Sequence, residues 1–118
     1  MNTIKIKRIY ETYENADGYR ILVDRLWPRG VTKEAARLDE WAKEVTPSSA
    51  IRTALHTDLL DWSAFEGAYR AELEANDLFA PWKLKVLGLL ETQPVTFLTA
   101  AKLEPENHAA ILKKNVEK

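Results

Sequence analysis

Asp17-Gly18-Tyr19-Arg20-Ile21-Leu22-Val23-Asp24-Arg25-Leu26-Trp27-Pro28-Arg29-Gly30 is the stretch that decides the fold of this chain. Asp-Gly tolerates a positive φ and closes a turn that begins near Glu14. Ile21-Leu22-Val23 runs apolar without alternation, which predicts a strand over Tyr19 to Asp24 covered on both faces, and hence a parallel or mixed sheet. Pro28 keeps Trp27 out of helical geometry. Gly30 permits a sharp turn, and Thr32 caps a short helix through Lys33-Glu34-Ala35-Ala36. The basic loop thus joins a buried strand to a helix, and ligands of open α/β sheets bind at such junctions.

Working outward, Ile4-Lys5-Ile6-Lys7 alternates as a half-buried strand that continues towards Ile9 or Tyr10. Leu38, Trp41 and Val45 keep helical spacing, but the segment is short and fits a strand better. Ser48 caps a helix with Ile51 and Leu55 inward. Trp62, Phe65, Tyr69 and Leu73 form the stripe of a clear helix over Trp62–Asn76, with Glu66, Arg70 and Glu74 laddered opposite. Pro81 suits the first turn of the next helix, which buries Trp82, Val86, Leu89 and Leu90. Pro94 to Ala100 is a strand, and Pro105 starts a last helix with Ala109, Leu112 and Val116 inward. The sum is one small three-layer α/β domain over residues 1–118, a short parallel or mixed sheet flanked by helices.

The bulk numbers agree. A chain of 118 residues fits one domain and buries a core without staples. Its 17 basic and 18 acidic residues leave a net charge of −1, which speaks against nucleic acid and anionic membranes as partners. The lack of cysteine excludes disulfides, thiolate nucleophiles and Cys-ligated zinc, and fits a reducing compartment. No run is long and apolar enough to span a bilayer, and Met1 to Arg8 lacks the apolar core of a signal peptide. A cytoplasmic protein is expected.

Arg25 and Arg29 offer forked donors for phosphate or carboxylate beside the N-terminus of the Thr32 helix. If the last strand lies parallel to the central one, Lys102 and Asn107 reach the same sheet edge and complete an anion site. The alternative is internal pairing with Asp24, Glu34, Asp39 or Glu40 that only braces the loop. Trp27 could stack on a ring or simply hold the loop. His108, in the first turn of the last helix, and Asp24 are the acid/base candidates. His56 with Asp58 and Asp61 could orient a base, or be a helix-end histidine followed by a capping Asp61. Two histidines without a His-x-x-x-His pair suggest no metal cage. Ser48, Ser49 and Thr99 sit in no nucleophile elbow, and no glycine-rich phosphate loop is present, so no cofactor is expected. Lys5, Lys7, Arg8 and Arg20 read as a basic stripe on a sheet edge or as solvated gatekeepers of an edge strand.

The run Asp17–Gly30 resembles the signature of the YeaO-like proteins, domain-of-unknown-function family 488. The likeness continues through Asp39-Glu40-Trp41, Pro47-Ser48, His56 with Trp62, Phe65 and Tyr69, then Ala101-Lys102 and Asn107-His108-Ala109, nearly the whole chain in order. It implies a small α/β domain of a bacterial-type cytosolic protein and no established activity. One departure stands out: Thr99-Ala100 occupies a place where relatives can carry Tyr-Ser. The leading functional expectation is a binding or enzymatic domain for an anionic small molecule, held by Arg25, Trp27, Arg29, Lys102 and Asn107. The alternative is a non-catalytic module binding protein or nucleic acid, although the chain shows no helix-turn-helix pattern. Its oligomeric state is not specified.

Overall fold

The structure is a computed structural model that describes residues 2–104 and 106–118. Its strands are β1 (Ile4–Arg8), β2 (Tyr19–Leu22), β3 (Glu40–Trp41) and β4 (Val95–Thr99). Its helices are α1 (Lys33–Ala36), α2 (Ser49–His56), α3 (Trp62–Ala75), α4 (Phe79–Leu89) and α5 (His108–Glu117). The sheet has the order β1-β4-β2-β3 and every pairing is parallel. The last strand therefore slots between the first two, with Phe97 opposite both Ile6 and Ile21. This is the neighbour relation on which the expected sheet-edge site depends.

The apolar run of β2 is covered on both faces, and Ile21, Leu22 and Val23 are fully buried. Ile21, Val23, Val95 and Phe97 face the stripes of α3, α4 and α5, including Phe65, Tyr69, Val86 and Leu112. Leu98 faces the other way, towards Ala36 of α1, Ile9 and the loop residues Trp27, Val31 and Leu38. The three layers are thus unequal: a thick helical layer on one face, and one short helix with its loop on the other. Each large apolar side chain fully buried here contributes about 1.5–3 kcal/mol.

Several local expectations need correction. Only Glu40–Trp41 of the Leu38–Val45 segment is strand, and Lys43–Val45 winds into a 3-10 turn. Trp41 stays paired with Leu22, and the Ala42 N–H donates to the Leu22 carbonyl at 2.9 Å. The strand ends as the chain winds into the turn at Lys43, while Trp41 Nε1 donates to the Asp24 carbonyl at 2.7 Å. Leu89 is only half-buried, while Trp82, Val86 and Leu90 are in the core. The expected start of the last helix at Pro105 lies outside the described residues; α5 begins at His108, where the Asn107 side chain accepts the Ala110 N–H at 3.0 Å.

Arg20 is neither on an edge nor solvated. It sits in β2 with 1% exposure, donating to Asp17, to the Ala36 carbonyl at 2.9 Å and to the Arg37 carbonyl at 3.1 Å. Lys7 reaches the same Asp17 carboxylate at 2.9 Å, and Arg8 donates to the Ala100 and Ala101 carbonyls. The basic residues of the sheet are consumed in fastening the turn before β2 and the exit of β4. Burial pushes the Asp17 carboxyl up, but hydrogen bonds from Lys7, the Glu14 N–H and Arg20 outweigh it and hold it below the usual range.

Candidate functional site

β2 and β4 end side by side, and their continuations diverge to leave an opening between the sheet edge, α2, α3 and the start of α5. The opening is a cleft of about 290 Å³. Asp24, Glu106, Arg25, Arg52, His56 and His108 line it with ionisable groups, and Leu26, Leu55, Trp62 and Phe65 supply apolar wall. A cleft at the carboxyl ends of parallel strands is where sheet topology places ligands in open α/β folds.

Asp24 is the hub. Its Oδ1 accepts from the Thr99 hydroxyl at 2.7 Å, and its Oδ2 accepts from the Ala100 N–H at 2.7 Å. His108 Nε2 lies 3.0 Å from Asp24 Oδ1 and 3.0 Å from the Val23 carbonyl. Both neighbours are acceptors, so the imidazole proton resides on Nε2 and is shared between them. Thr99 passes the pattern on, accepting the Ala101 N–H at 3.0 Å. Burial raises the Asp24 carboxyl, yet the bonds from His108, Ala100 and Thr99 prevail and keep it below the ordinary carboxylate range. The carboxylate is therefore ionised and its lone pairs are largely committed to the protein.

Arg25 lines the cleft but spends part of its fork on structure. Nε donates to the Pro47 carbonyl at 2.9 Å and Nη2 to the Thr46 carbonyl at 3.3 Å, tying the loop after β2 to the start of α2. Its Nη1 has no partner among the described residues. Asn107 also lines the cleft, with its amide engaged by Ala110 and the Glu104 carbonyl. Arg29 and Lys102 are exposed and line no part of the cleft. Trp27 belongs to the α1 side of the sheet: its Nε1 donates to the Val31 carbonyl at 2.6 Å, and its ring meets Trp41 edge-on at 5.3 Å. Of the expected set, Asp24, Arg25, Asn107 and His108 come together, and Trp27, Arg29 and Lys102 do not join them.

Two basic residues at the cleft carry no weight in the opening motif. Arg52 and His56 stand four apart on α2, hence on one helix face, and both line the cleft. That spacing after the Ser48 cap was the available signal. Asp61 caps α3 by accepting the Ala64 N–H at 2.8 Å, so it does not orient His56. Ser48 is bound to Glu72, and Thr99 to Asp24. Among the described residues that line the cleft, none carries a hydroxyl or a thiol.

A parallel α/β sheet with a cleft at its carboxyl edge, closed at the base by an Asp–His contact, defines the class of domain. The chain belongs to the family described as the inactive DUF488-N3 subclade, whose model matches residues 3–118. It is similar to the uncharacterized protein YeaO of Escherichia coli, at 44% identity over 92% of both chains. It is also similar to the uncharacterized protein Rv3073c of Mycobacterium tuberculosis, at 34% identity over 92% of this chain and 89% of that one. No solved structure gives a significant match. Among the described residues, no helix is long and apolar enough to cross a membrane.

Proposed function

We propose that the cleft is a recognition site for a small anionic ligand, phosphate- or carboxylate-bearing, and that it binds without catalysis. The observation that carries this reading is the division of labour among its charges. The ionised Asp24 is solvated from within by hydrogen bonds from Thr99, Ala100 and His108. Arg25, Arg52 and His56 line the same opening, and Arg52 and His56 have no side-chain hydrogen bond among the described residues. Guanidinium forks with spare donors suit a planar oxyanion.

Catalysis is less well supported. The carboxylate that would act as a base is committed, and the lining offers no hydroxyl or thiol to form a covalent intermediate. The family description, which calls the subclade inactive, accords with this. The absence of cysteine accords with a cytoplasmic location.

A thermal-shift panel of phosphorylated metabolites and small carboxylates, at constant ionic strength, tests the reading on wild type and Arg52→Ala. A ligand at about 100 times its dissociation constant stabilises by about 2.7 kcal/mol, a readily seen rise in midpoint. A rise with wild type that falls to about half in Arg52→Ala, as a tenfold weaker affinity requires, is expected. No rise with any anion, or a rise undiminished in both Arg52→Ala and His56→Ala, overturns it. Salt-dependent retention of DNA or RNA in the absence of any small-anion effect would replace it with an interaction module.

A further inference from the structure

The cleft is not merely basic. Trp62, the first residue of α3, stacks on Phe65 with ring centroids 5.2 Å apart and planes 25° apart, and both rings line the opening. Phe65 is buried and fixes one side of the indole, while Trp62 itself is half-exposed. Leu26 lines the same cleft from the loop after β2 although it is 64% exposed. Leu55 adds apolar surface from α2. An aromatic ring held by its neighbour, in a cleft also lined by apolar side chains and by Arg52, presents a stacking surface in an opening that holds a cation.

From this we infer that the ligand is an aromatic oxyanion: a flat ring bearing a carboxylate or phosphate, the ring on Trp62 and the charge at Arg52. This deepens the anion-recognition reading and rests on it. A volume of about 290 Å³ lies at the small end of small-molecule sites, which run roughly 300–1,000 Å³, and suits one ring system with its acid group. Aromatic rings prefer offset or edge arrangements on a fixed ring, so stacking discriminates a flat ring from a saturated one of the same charge.

The test is an NMR titration at fixed pH and ionic strength with benzoate, phenyl phosphate, cyclohexanecarboxylate, acetate and inorganic phosphate. Wild type, Trp62→Leu and Trp62→Phe are compared, each checked for folding by circular dichroism. Benzoate or phenyl phosphate is expected to bind at least about tenfold more tightly than its non-aromatic counterpart, a difference of about 1.4 kcal/mol. Trp62→Leu should abolish that preference and Trp62→Phe should keep most of it. The better of the two aromatic probes identifies the acid group. Equal binding of benzoate and cyclohexanecarboxylate, or a preference unchanged in both variants, overturns the aromatic assignment and leaves the anion site standing. If no probe binds, both fall. Should Trp62→Leu fail to fold, Leu26→Ser, which alters an exposed loop residue of the same cleft, must weaken the aromatic probes more than acetate.

Discussion

His108 Nε2 meets Asp24 Oδ1 at 3.0 Å, joining the first residue of α5 to the second residue beyond β2, 84 positions apart in the chain. The contact sets the imidazole tautomer and holds the start of α5 at the sheet edge, so the base of the cleft is one hydrogen-bonded unit with Thr99 and Ala100. Its behaviour on mutation and titration separates a brace from a reactive pair.

Asp24→Asn should lower stability at pH 7 by about 1–3 kcal/mol, because the new amide turns a donor towards the Thr99, Ala100 or His108 donors. The folded-state pKa of Asp24 is depressed, so its contribution is present above the unfolded carboxylate value of about 4 and is lost as pH falls through the lower folded value. The difference between wild type and Asp24→Asn in urea denaturation should therefore shrink below about pH 4. A difference constant from pH 7 to pH 2.5 would contradict the ionised brace.

Gly18→Ala should cost at least about 2 kcal/mol. Gly18 has φ +67°, and an added Cβ would stand 2.1 Å from the Pro94 carbonyl oxygen. That carbonyl accepts the Tyr19 N–H at 3.0 Å, so it is not free to retreat. A chemical-denaturation midpoint within error of wild type would refute the close approach.

Arg20→Ala should destabilise by about 1–3 kcal/mol, since it takes the donors from the buried Ala36 and Arg37 carbonyls and one donor from Asp17, which keeps Lys7 and the Glu14 N–H. Lys114→Ala removes a surface ion pair, 2.8 Å to Glu66, and should change stability by less than about 1 kcal/mol. Calorimetry on the two variants gives the contrast directly.

Arg52→Ala should leave the unfolding midpoint nearly unchanged, as the side chain holds no partner among the described residues, while reducing affinity for the cleft anion about tenfold. Arg25→Ala should affect both, because its guanidinium also ties Thr46 and Pro47. Paired stability and binding measurements on the two variants separate these roles.

Much of the fold was legible along the chain. The unbroken Ile21-Leu22-Val23 run required cover on both faces, and the stripe from Trp62 to Leu73 had one reading. Thr32, Ser48 and Asp61 cap the helices they precede, because capping depends on a side chain three residues from its target. The charged residues were less legible. Arg20 looked solvated because its partners arrive from the turn before β2 and from the end of α1, and no local pattern marks a buried guanidinium. Arg29 and Lys102 lie near strand ends in the sequence yet do not line the cleft, because proximity in sequence says little about side-chain direction in a loop.

The sequence by itself determined most of the elements, the buried central strand and the place of the basic loop at the end of that strand, since periodicity, turn chemistry and caps act over a few residues. Only the tertiary structure decided that β4 lies between β1 and β2, that Asp24 and His108 touch, and that Arg52, His56 and Trp62 join Arg25 at one cleft. Those relations depend on which strands pair and how α2, α3 and α5 pack over the sheet, which are set by long-range burial and not by any local run of residues.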